Sequence, residues 1–474
     1  MIISNAAYTQ SVNHRQGVQR PHSLLACLEA LREMPGLHFM YLRFTRFLLP
    51  LVLTILIFEF GAQTINAGMA RMPDAIRVLA AFGLAWGLVT TLSSPLAQIR
   101  YAGLVLVEDK RDFWRGLHYV GLLALLMMAV QWLLGGTSIS RQLLEGLHGI
   151  DPETGDRVRL MMLWLLPMPL LRGTTQLATG VLTRGKHTGQ ISVATALSVA
   201  AGFATVVALL QIEAIRTHPI WLPVLVLYAT ILTESVTILF YLWRFFGSGL
   251  PAKLERPPIT YAEFFRFTWP IALMNFMQES SRPLINLFVV RGAHGAEALA
   301  ALTVAYTLGQ WTYRWLNELR ALVPPFYSEL RSYRPFLRYA YWCGLVATAI
   351  CLLLFWTPLR TILLEQVIGL TPALAELSRV PLQIYTFFPF VVIHRAHFHS
   401  MAFIERHTFP MAVGAPMRTG AILVALLILP LFGVQGAALG VASLLAGFTS
   451  ETVTVWWLIL GKKQVRVWRT RPAV

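Results

Sequence analysis

The sequence predicts an all-α polytopic membrane protein with about twelve transmembrane helices in two parallel six-helix repeats. The chain is 56% hydrophobic and only 13% charged, and its mean hydropathy is +0.59. A soluble domain of 474 residues does not need that much apolar surface, so the expected solvent is a bilayer. In addition, residues 46–100 recur without a gap as residues 266–320, with fifteen of fifty-five pairs identical.

Apolar segments of spanning length, roughly 20 residues each, recur along the chain. The predicted spans are 47–70, 75–96, 117–135, 158–181, 189–212, 218–243, 268–290, 296–319, 339–356, 380–402, 408–431 and 436–461. Six of them precede a long polar, Pro- and Gly-rich stretch, and six follow it. An even number of spans per repeat makes the repeats parallel, related by an axis along the membrane normal.

The predicted organisation follows from these spans and has two lobes that face one another across a central cavity. Its parts are a cytoplasmic N-terminal extension (1–45), an N-terminal six-helix lobe (46–243), a cytoplasmic linker (244–266), a C-terminal six-helix lobe (267–461) and a basic cytoplasmic tail (462–474).

The repeat is convincing because its matches include residue types that apolar composition does not align by chance. Glu59 lies on Glu279, Pro50 on Pro270 and Arg100 on Arg320. A duplicated membrane-embedded half is typical of secondary transporters, whose binding site lies between the repeats.

The net charge of +16 is explained by topology. If both termini are cytoplasmic, about 25 of the 39 Lys and Arg residues lie on the cytoplasmic side, as the positive-inside rule requires. The loop 136–157 is acidic and is expected on the opposite side. We therefore expect an inner or plasma membrane location and no nucleic-acid partner. The excess of Arg (34) over Lys (5) is typical of a GC-rich bacterial genome.

The first forty residues contain no continuous apolar stretch, so no cleavable signal peptide is expected. Within them, residues 23–31 have the pattern of a short amphipathic helix that lies on the membrane face. A weakly ordered extension is the alternative interpretation of the same segment.

The sequence contains no recognisable catalytic, cofactor-binding or metal-binding motif. The three cysteines have no disulfide or metal-ligand spacing, and residues 185–189 lack the order of a phosphate loop. The histidines at 394, 397 and 399 do not share one helical face. We expect no cofactor, no metal and no enzymatic activity, with transport coupled to a gradient of H+ or Na+. A monomer in the lipid bilayer is the expected state.

Ionisable groups inside spans cost roughly 2.5–3.5 kcal/mol each on insertion scales, so each needs a partner, a wet cavity or a function. The candidates are Glu59, Arg172, Glu234, Glu279, Arg282, Arg314, Glu318, Arg395, His397, Arg418 and Glu451.

The seventh span contains the densest group. Glu279, Arg282 and Asn286 lie along one helical face, and Pro283 frees a backbone carbonyl one turn earlier. A guanidinium facing a cavity binds an anionic oxygen through two hydrogen bonds. The alternative is that Glu279 and Arg282 neutralise each other at i, i+3.

Glu59 in the first span differs from its repeat partner Glu279, because Ala62 occupies the position of Arg282. Glu59 therefore needs a cation from another helix, for which Arg172 or Arg395 is expected, or it takes a proton. We predict Glu59 and Glu279 as the coupling carboxylates.

The eighth and tenth spans supply the remaining predicted ligands. Tyr306, Tyr313 and Arg320 recur every seven residues and suit a phosphate or carboxylate ligand, although aromatic residues near a span end are also interface anchors. Arg395 and His397 are expected to line the cavity. The predicted substrate-binding residues are Arg282, Asn286, Tyr313, Arg320, Arg395 and His397.

Several stretches between Arg46 and Trp457 resemble the progressive ankylosis (ANK) family, which is placed with the MATE and polysaccharide-flippase (MOP) superfamily. The stretches are Arg46-Phe47-Leu48 with Pro50, Phe60-Gly61 with Gln63, Gly103-Leu104-Val105 with Lys110-Arg111-Asp112, Ser281-Arg282-Pro283 with Asn286, Tyr313 to Arg320, Phe387-Phe388-Pro389 with Arg395-Ala396-His397, and 433–451.

This resemblance implies V-shaped, MATE-like lobes and the export of a small multivalent anion of the pyrophosphate, nucleoside triphosphate or citrate class. The chain departs from animal members in its basic N-terminal extension and in the absence of a long acidic C-terminal tail. Three alternatives remain open: a cation-coupled exporter of organic cations, a flippase for a lipid-linked pyrophosphate glycan, and a structural membrane protein.

Overall fold

The computed structural model of the protein describes residues 35–137, 152–291, 295–327, 329, 333–367 and 370–461. Within these ranges the chain is helical and contains no β-strand, which confirms the predicted all-α class. Most of the N-terminal extension with its predicted amphipathic segment 23–31, most of the acidic loop, and the C-terminal tail lie outside the described residues.

Each predicted span is overlapped by helix in the described part of the chain. The longer helices are α1 (Pro35–Met69), α2 (Ala75–Leu92), α3 (Ile99–Val105), α4 (Lys110–Gly136), α5 (Pro152–Trp164), α6 (Met168–Arg184), α7 (Thr188–Leu209), α8 (Trp221–Ser248), α9 (Tyr261–Val290), α10 (Gly295–Tyr313), α11 (Leu319–Phe326), α12 (Arg334–Trp356), α13 (Phe388–Ile404), α14 (Phe409–Ile428) and α15 (Gly436–Gly461). Short helices lie at Ser94–Ala97, Glu213–Thr217, Arg314–Glu318, Leu359–Thr361, Ile362–Val367, Pro372–Leu377, Arg379–Ile384, Tyr385–Phe387 and Leu429–Phe432.

Seven helices of the described residues are by themselves long and apolar enough to cross a bilayer, and α2 and α3 form an eighth, bent pair at 65°. The other spans carry more charge or are interrupted. The protein is therefore a multi-pass membrane protein, as predicted.

The outer surface of the helices is apolar, as a lipid-facing surface must be. On α4, Leu122 and Leu125 are 63% and 58% exposed, whereas Gly116, Val120 and Ala124 are buried against neighbouring helices. An exposed apolar face opposite a face of small residues is the pattern of a helix between lipid and protein.

A buried apolar core joins α1, α2, α5 and α8 in the first half of the chain. Met69, Val78, Met161 and Leu222 belong to it, and each is fully buried. This packing leaves the polar side chains of the first half to face other surfaces.

The two copies of the repeat break at the same place. In the first copy α2 ends at Leu92, and a short helix with Pro95 near its start leads to α3. In the second copy α10 ends at Tyr313, and a 3-10 helix over Arg314–Glu318 leads to α11. The helices resume at Ile99 and Leu319, 220 residues apart, which is the offset of the repeat. Interrupted helices inside a membrane protein are tolerated where they line a cavity or a binding site.

The connection between the halves is shorter than predicted, because α8 continues to Ser248 and α9 begins at Tyr261. The start of α9 is set by a capping box, in which Thr260 and Glu263 satisfy each other's backbone amides. The buried carboxylate of Asp112 holds the connection in place, since it accepts hydrogen bonds from Arg256 at 2.5 Å and from the Ile259 amide at 3.0 Å.

Asp109 caps α4 and is also bound to the connection. Burial opposes its ionisation, but hydrogen bonds from the Asp112 and Leu254 amides and from Arg111 outweigh this, so the pKa of Asp109 lies below its usual value. Its contribution to stability is present above the pKa of unfolded Asp, about 3.9. That contribution is lost as the pH falls through the lower folded-state pKa.

The short helix α3 is held by direct backbone contact with α6. A Cβ atom added to Gly180 would lie 2.1 Å from the carbonyl oxygen of Arg100, and one added to Gly103 would lie 2.4 Å from that of Leu177. Only glycine permits this approach, so the position of Arg100 depends on Gly180.

We predict that Gly180→Ala forces α3 and α6 apart and lowers the unfolding temperature in detergent, measured by tryptophan fluorescence. Gly83→Ala is the matched control, because a Cβ atom there meets nothing within 4 Å and alanine favours a helix by about 0.5–1 kcal/mol. Equal unfolding temperatures for the two variants would contradict the close contact.

Candidate functional site

A polar cavity of about 370 Å³ lies where the two broken segments meet. Its lining comes from both halves of the chain. The polar residues are Gln98, Arg100, Tyr101, Gln176, Asn275, Gln278, Glu279, Arg282, Gln310, Tyr313, Arg314, Asn317, Glu318, Arg320, Arg395 and Arg418. The halves also touch directly, since Gln98 donates a hydrogen bond to Asn275 at 3.0 Å.

Positive charge is in excess around this cavity. Six of its described lining residues are arginines, and only Glu279 and Glu318 are carboxylates. Two further carboxylates, Glu59 and Glu451, contact lining arginines from outside. Six guanidiniums thus face four carboxylates, a local net charge of +2. Such a site attracts anions, because its charge is not compensated internally.

Arg100 and Arg320, which occupy equivalent positions in the repeat, meet on one aromatic ring. Their guanidinium carbons lie 4.9 Å and 4.6 Å from the ring centre of Tyr101. Arg100 also donates to both oxygens of Glu318, at 2.6 and 2.7 Å. Arg320 has no carboxylate within 4 Å among the described residues, and its Nε is buried without a hydrogen-bond partner. Arg320, in the second copy of the repeat, therefore has less negative charge beside it than Arg100 in the first copy.

Arg395 and Arg418 share one buried carboxylate. Their Nη1 atoms lie 3.3 Å and 3.0 Å from Oε2 of Glu451. Both guanidiniums lie over the ring of Phe448, at 4.5 and 4.2 Å from its centre. Two cations with one counter-charge leave one positive charge at the cavity wall.

Glu279 and Arg282 both line the cavity, but no ion pair joins them in the described part of the chain. Arg282 instead lies over the ring of Tyr306 at 5.1 Å. Mutual neutralisation at i, i+3 is therefore not the observed arrangement, and α9 continues as one helix through Pro283.

The prediction that Glu59 pairs with Arg172 or Arg395 was wrong. Glu59 pairs with Arg314, which belongs to the 3-10 helix in the other half of the chain. Arg395 pairs with Glu451, and Arg172 lies with Glu234 around a separate cavity of about 200 Å³ in the first half. The pair joins two different helices, and the spacing of residues along one helix does not show which helices meet.

Glu59 belongs to an apolar groove of about 760 Å³ beside the polar cavity. The groove is lined mainly by apolar side chains of α1, α10 and α12, and it shares Arg282, Gln310 and Arg314 with the polar cavity. One amphiphilic molecule can therefore contact both regions.

The predicted ligands are only partly brought together. Arg282, Tyr313, Arg320 and Arg395 line the polar cavity with Glu279, whereas Asn286 and His397 are not among its lining residues. His397 packs against the rings of Tyr333 and Phe336. The roles of Asn286 and His397 remain predictions.

The three histidines of α13 point to different surroundings. His394 bonds to the Tyr341 hydroxyl at 3.0 Å, His397 is packed among aromatic rings, and His399 faces Glu451 at 3.5 Å.

Sequence reasoning did not assign Arg100, Arg314, Asn275 and Arg418 to the site. A signal for Arg100 was present, since the repeat aligns it with Arg320. Arg314 and Arg418 were recognisable only as charges inside spans. Asn275 aligns with Ile55, so the repeat carried no signal for it.

Comparison with known proteins identifies both a matching family and a shared fold. The sequence profile of the progressive ankylosis protein (ANKH) family matches residues 32–357. A mutant of the Vibrio cholerae MATE transporter VcmN superposes with a TM-score of 0.68 at 13% identity, covering 92% of this chain and 99% of that one.

Two other solved structures have the same fold. A MOP superfamily transporter from Pyrococcus furiosus, described as having a binding pocket of reverse polarity that suggests a different function, gives a TM-score of 0.61 at 13% identity. The eukaryotic MATE transporter AtDTX14 gives 0.61 at 14% identity. Each covers 92% of this chain and 99% of its own. At these identities the likeness shows the fold alone.

The Arg100–Glu318 pair provides a test of the cavity geometry. Glu318 is 8% exposed, so Glu318→Gln leaves Arg100 without a counter-charge and should lower the unfolding free energy by about 3 kcal/mol. The double variant Arg100→Gln/Glu318→Gln should regain a large part of this loss. The measurement is the apparent unfolding temperature in detergent, and strictly additive losses would contradict a direct pair.

Proposed function

The chain belongs to the progressive ankylosis protein (ANKH) family and is a membrane transporter with the fold of the MOP superfamily; from that premise we propose that it exports small multivalent anions by alternating access. The substrate class we propose is that of pyrophosphate, nucleoside triphosphates and citrate. These anions carry several negative oxygens on a small volume.

The excess of guanidinium groups in the polar cavity is the observation that supports this substrate class. Arg282 and Arg320 have no carboxylate within 4 Å among the described residues, and both line the cavity. A guanidinium provides two parallel N–H donors that match a phosphate or a carboxylate. A multivalent anion would compensate the remaining positive charge, which an organic cation would increase.

The dimensions of the cavity support a small substrate. Its volume of about 370 Å³ is at the lower end of the roughly 300–1,000 Å³ typical of ligand sites. A second polar cavity of about 390 Å³ shares Gln98, Asn275 and Glu279 with it. Together they have room for the base and ribose of a nucleotide.

Ion pairs between the halves support alternating access, because a gate of this kind can close one side of the cavity. Glu108 of the first half pairs with Arg406 of the second at 2.6 Å, and it also holds Arg184 of its own half at 3.4 Å and Arg256 of the connection at 3.0 Å. Lys186 of the first half likewise pairs with Glu329 of the second. These residues lie in the loops that the positive-inside rule assigns to the cytoplasm.

We therefore propose that the protein lies in the bacterial inner membrane and that both of its termini are in the cytoplasm. Its two six-helix lobes, 46–243 and 267–461, would rock against each other to expose the cavity to one side at a time. A coupling ion, H+ or Na+, and a monomeric state complete the proposal.

The apolar groove supports a second candidate, a flippase for a lipid-linked pyrophosphate. Its lining side chains Trp342 and Val346 are 56% and 53% exposed on the outer surface, where an acyl or prenyl chain would lie. The pyrophosphate would reach Arg282 and Arg314, which the groove shares with the polar cavity.

We predict that the purified protein in proteoliposomes transports radiolabelled pyrophosphate, ATP or citrate. Arg320→Gln and Arg282→Gln should each reduce the initial rate about ten- to hundredfold, since a hydrogen bond to a charged group contributes about 1.5–3 kcal/mol. Arg216→Gln is the matched control, because Arg216 is exposed and outside the cavity.

The outcomes of this assay separate the candidates. Transport of none of the three anions would overturn the proposal. Translocation of a polyprenyl pyrophosphate without transport of free pyrophosphate would favour the flippase instead.

We also predict that Glu108→Gln weakens the closure between the halves. Amide hydrogen exchange of residues 106–112 and 403–408 should accelerate, because three arginines lose their shared counter-charge. The control is Glu153→Gln, whose partners Arg77 and Arg157 both belong to the first half. Unchanged exchange in Glu108→Gln would rule out a gate at this position.

A further inference from the structure

The most deeply buried carboxylate at the cavity is one that the proposed function leaves unused. Glu451 on α15 is fully buried, as are Arg395 and His399 on α13 and Arg418 on α14, each at 2% exposure or less. Among the described carboxylates at the cavity, Glu59 and Glu279 are more exposed to water. Glu318 has both oxygens occupied by Arg100.

The two oxygens of Glu451 have different surroundings. Oε2 accepts hydrogen bonds from both Arg395 and Arg418. Oε1 has no hydrogen-bond partner, and it lies 3.5 Å from Nε2 of His399, which is also buried without one. One proton placed between Oε1 of Glu451 and Nε2 of His399 would make one of these atoms a hydrogen-bond donor and the other its acceptor. Both atoms would then have a hydrogen-bond partner.

Arg395 and Arg418 link this buried pair to the cavity. Both line the cavity on one side and hold Glu451 on the other. Arg395 also donates to the lining residue Asn317 at 2.6 Å, and Arg418 lies 3.4 Å from the Ser281 hydroxyl. A bound anion would therefore compete with Glu451 for the same two guanidiniums.

We infer that Glu451, facing His399, is the proton-binding site that couples transport to pH, and that it takes up one proton when an anion binds. This inference rests on the proposed function. An anion that draws the arginines toward the cavity leaves Glu451 as a buried carboxylate with less counter-charge, a state that protonation removes. The proton comes from water and converts the carboxylate to a carboxylic acid.

The coupling is reciprocal, so protonation of Glu451 must also strengthen anion binding. A proton on Glu451 frees Arg395 and Arg418 for the substrate. With both the anion and the proton bound, the site carries one negative charge fewer than with the anion alone.

The charged and titratable groups around Glu451 come from several packed helices. Arg395 and His399 face it from α13 and Arg418 from α14, and Arg320 acts on Arg395 and His399 from α11 at longer range. Tyr313 of α10 lies against Phe448 on the same side. From the short helix Arg379–Ile384, Arg379 pairs with Glu376 instead.

Calorimetric titration of the purified full-length protein tests the inference. The probe is trimetaphosphate, a trianion that does not itself titrate near neutral pH, in two buffers of different ionisation enthalpy. We expect the wild type to take up close to one proton per anion bound, and its Kd to change by up to about tenfold per pH unit. Glu451→Gln should bind the anion but take up no proton, and its Kd should not change with pH.

Matched variants keep the outcome decisive. Glu376→Gln makes the same chemical change at an exposed position and should take up protons as the wild type does. If Glu451→Gln does not fold, Glu451→Gln/Arg418→Gln preserves the net charge of the cluster, and it should bind the anion more weakly through the remaining arginines and take up no proton. Normal uptake in these Glu451 variants, or its loss in Glu59→Gln or Glu279→Gln instead, would overturn the inference. If the wild type binds neither trimetaphosphate nor pyrophosphate, the proposed function is overturned, and with it this inference.

Discussion

The cost of placing charge inside a membrane is the constraint on which the site depends. Each intramembrane arginine needs a carboxylate, an aromatic face or water, because hydrocarbon provides none of these. In this protein several arginines share one partner. Glu451 pairs with two arginines, and the ring of Tyr101 lies against two other arginines. The compensation is incomplete, and the remaining positive charge faces a polar cavity. The anion affinity that we propose would follow from the same electrostatics that makes the arginines costly.

The two helix breaks place these charged side chains at the cavity. A continuous helix would place Arg100 or Arg320 on a regular helical stripe, whereas the breaks at 93–98 and 314–318 redirect the chain just before each arginine. Because the breaks are equivalent in the repeat, the two arginines approach the cavity from opposite halves. The glycine contact between α3 and α6 then fixes one of them. Proline contributes to the break in the first copy only, so the shared feature is the break and not the residue that causes it.

Much of the fold was predictable from the sequence, and less of the site was. The hydropathy of the spans and the 220-residue repeat predicted an all-α multi-pass protein. Both can be seen in the sequence itself, because hydropathy is a property of each segment and the repeat is found by aligning the chain with itself. Arg282, Tyr313, Arg320 and Arg395, four of the predicted ligands, line one cavity in the structure. The site prediction missed the partner of Glu59, because Arg314 lies on another helix and spacing along one helix does not show which helices meet. Glu451 was recognisable as a charge inside a span, but not as the shared counter-charge of two arginines.

The sequence by itself determined the membrane location, the helical class and the duplication, since insertion and helix formation depend on local apolarity and on hydrogen bonds within each segment. It also carried the stretches that resemble the family. Only the tertiary structure decided which charges meet: Glu59 with Arg314 across 255 residues, Arg100 with Glu318 across 218, and Glu451 with both Arg395 and Arg418. The physical reason is that these pairings depend on how helices cross and where they break. Those choices are made by packing between distant segments, and no local pattern along the chain records them.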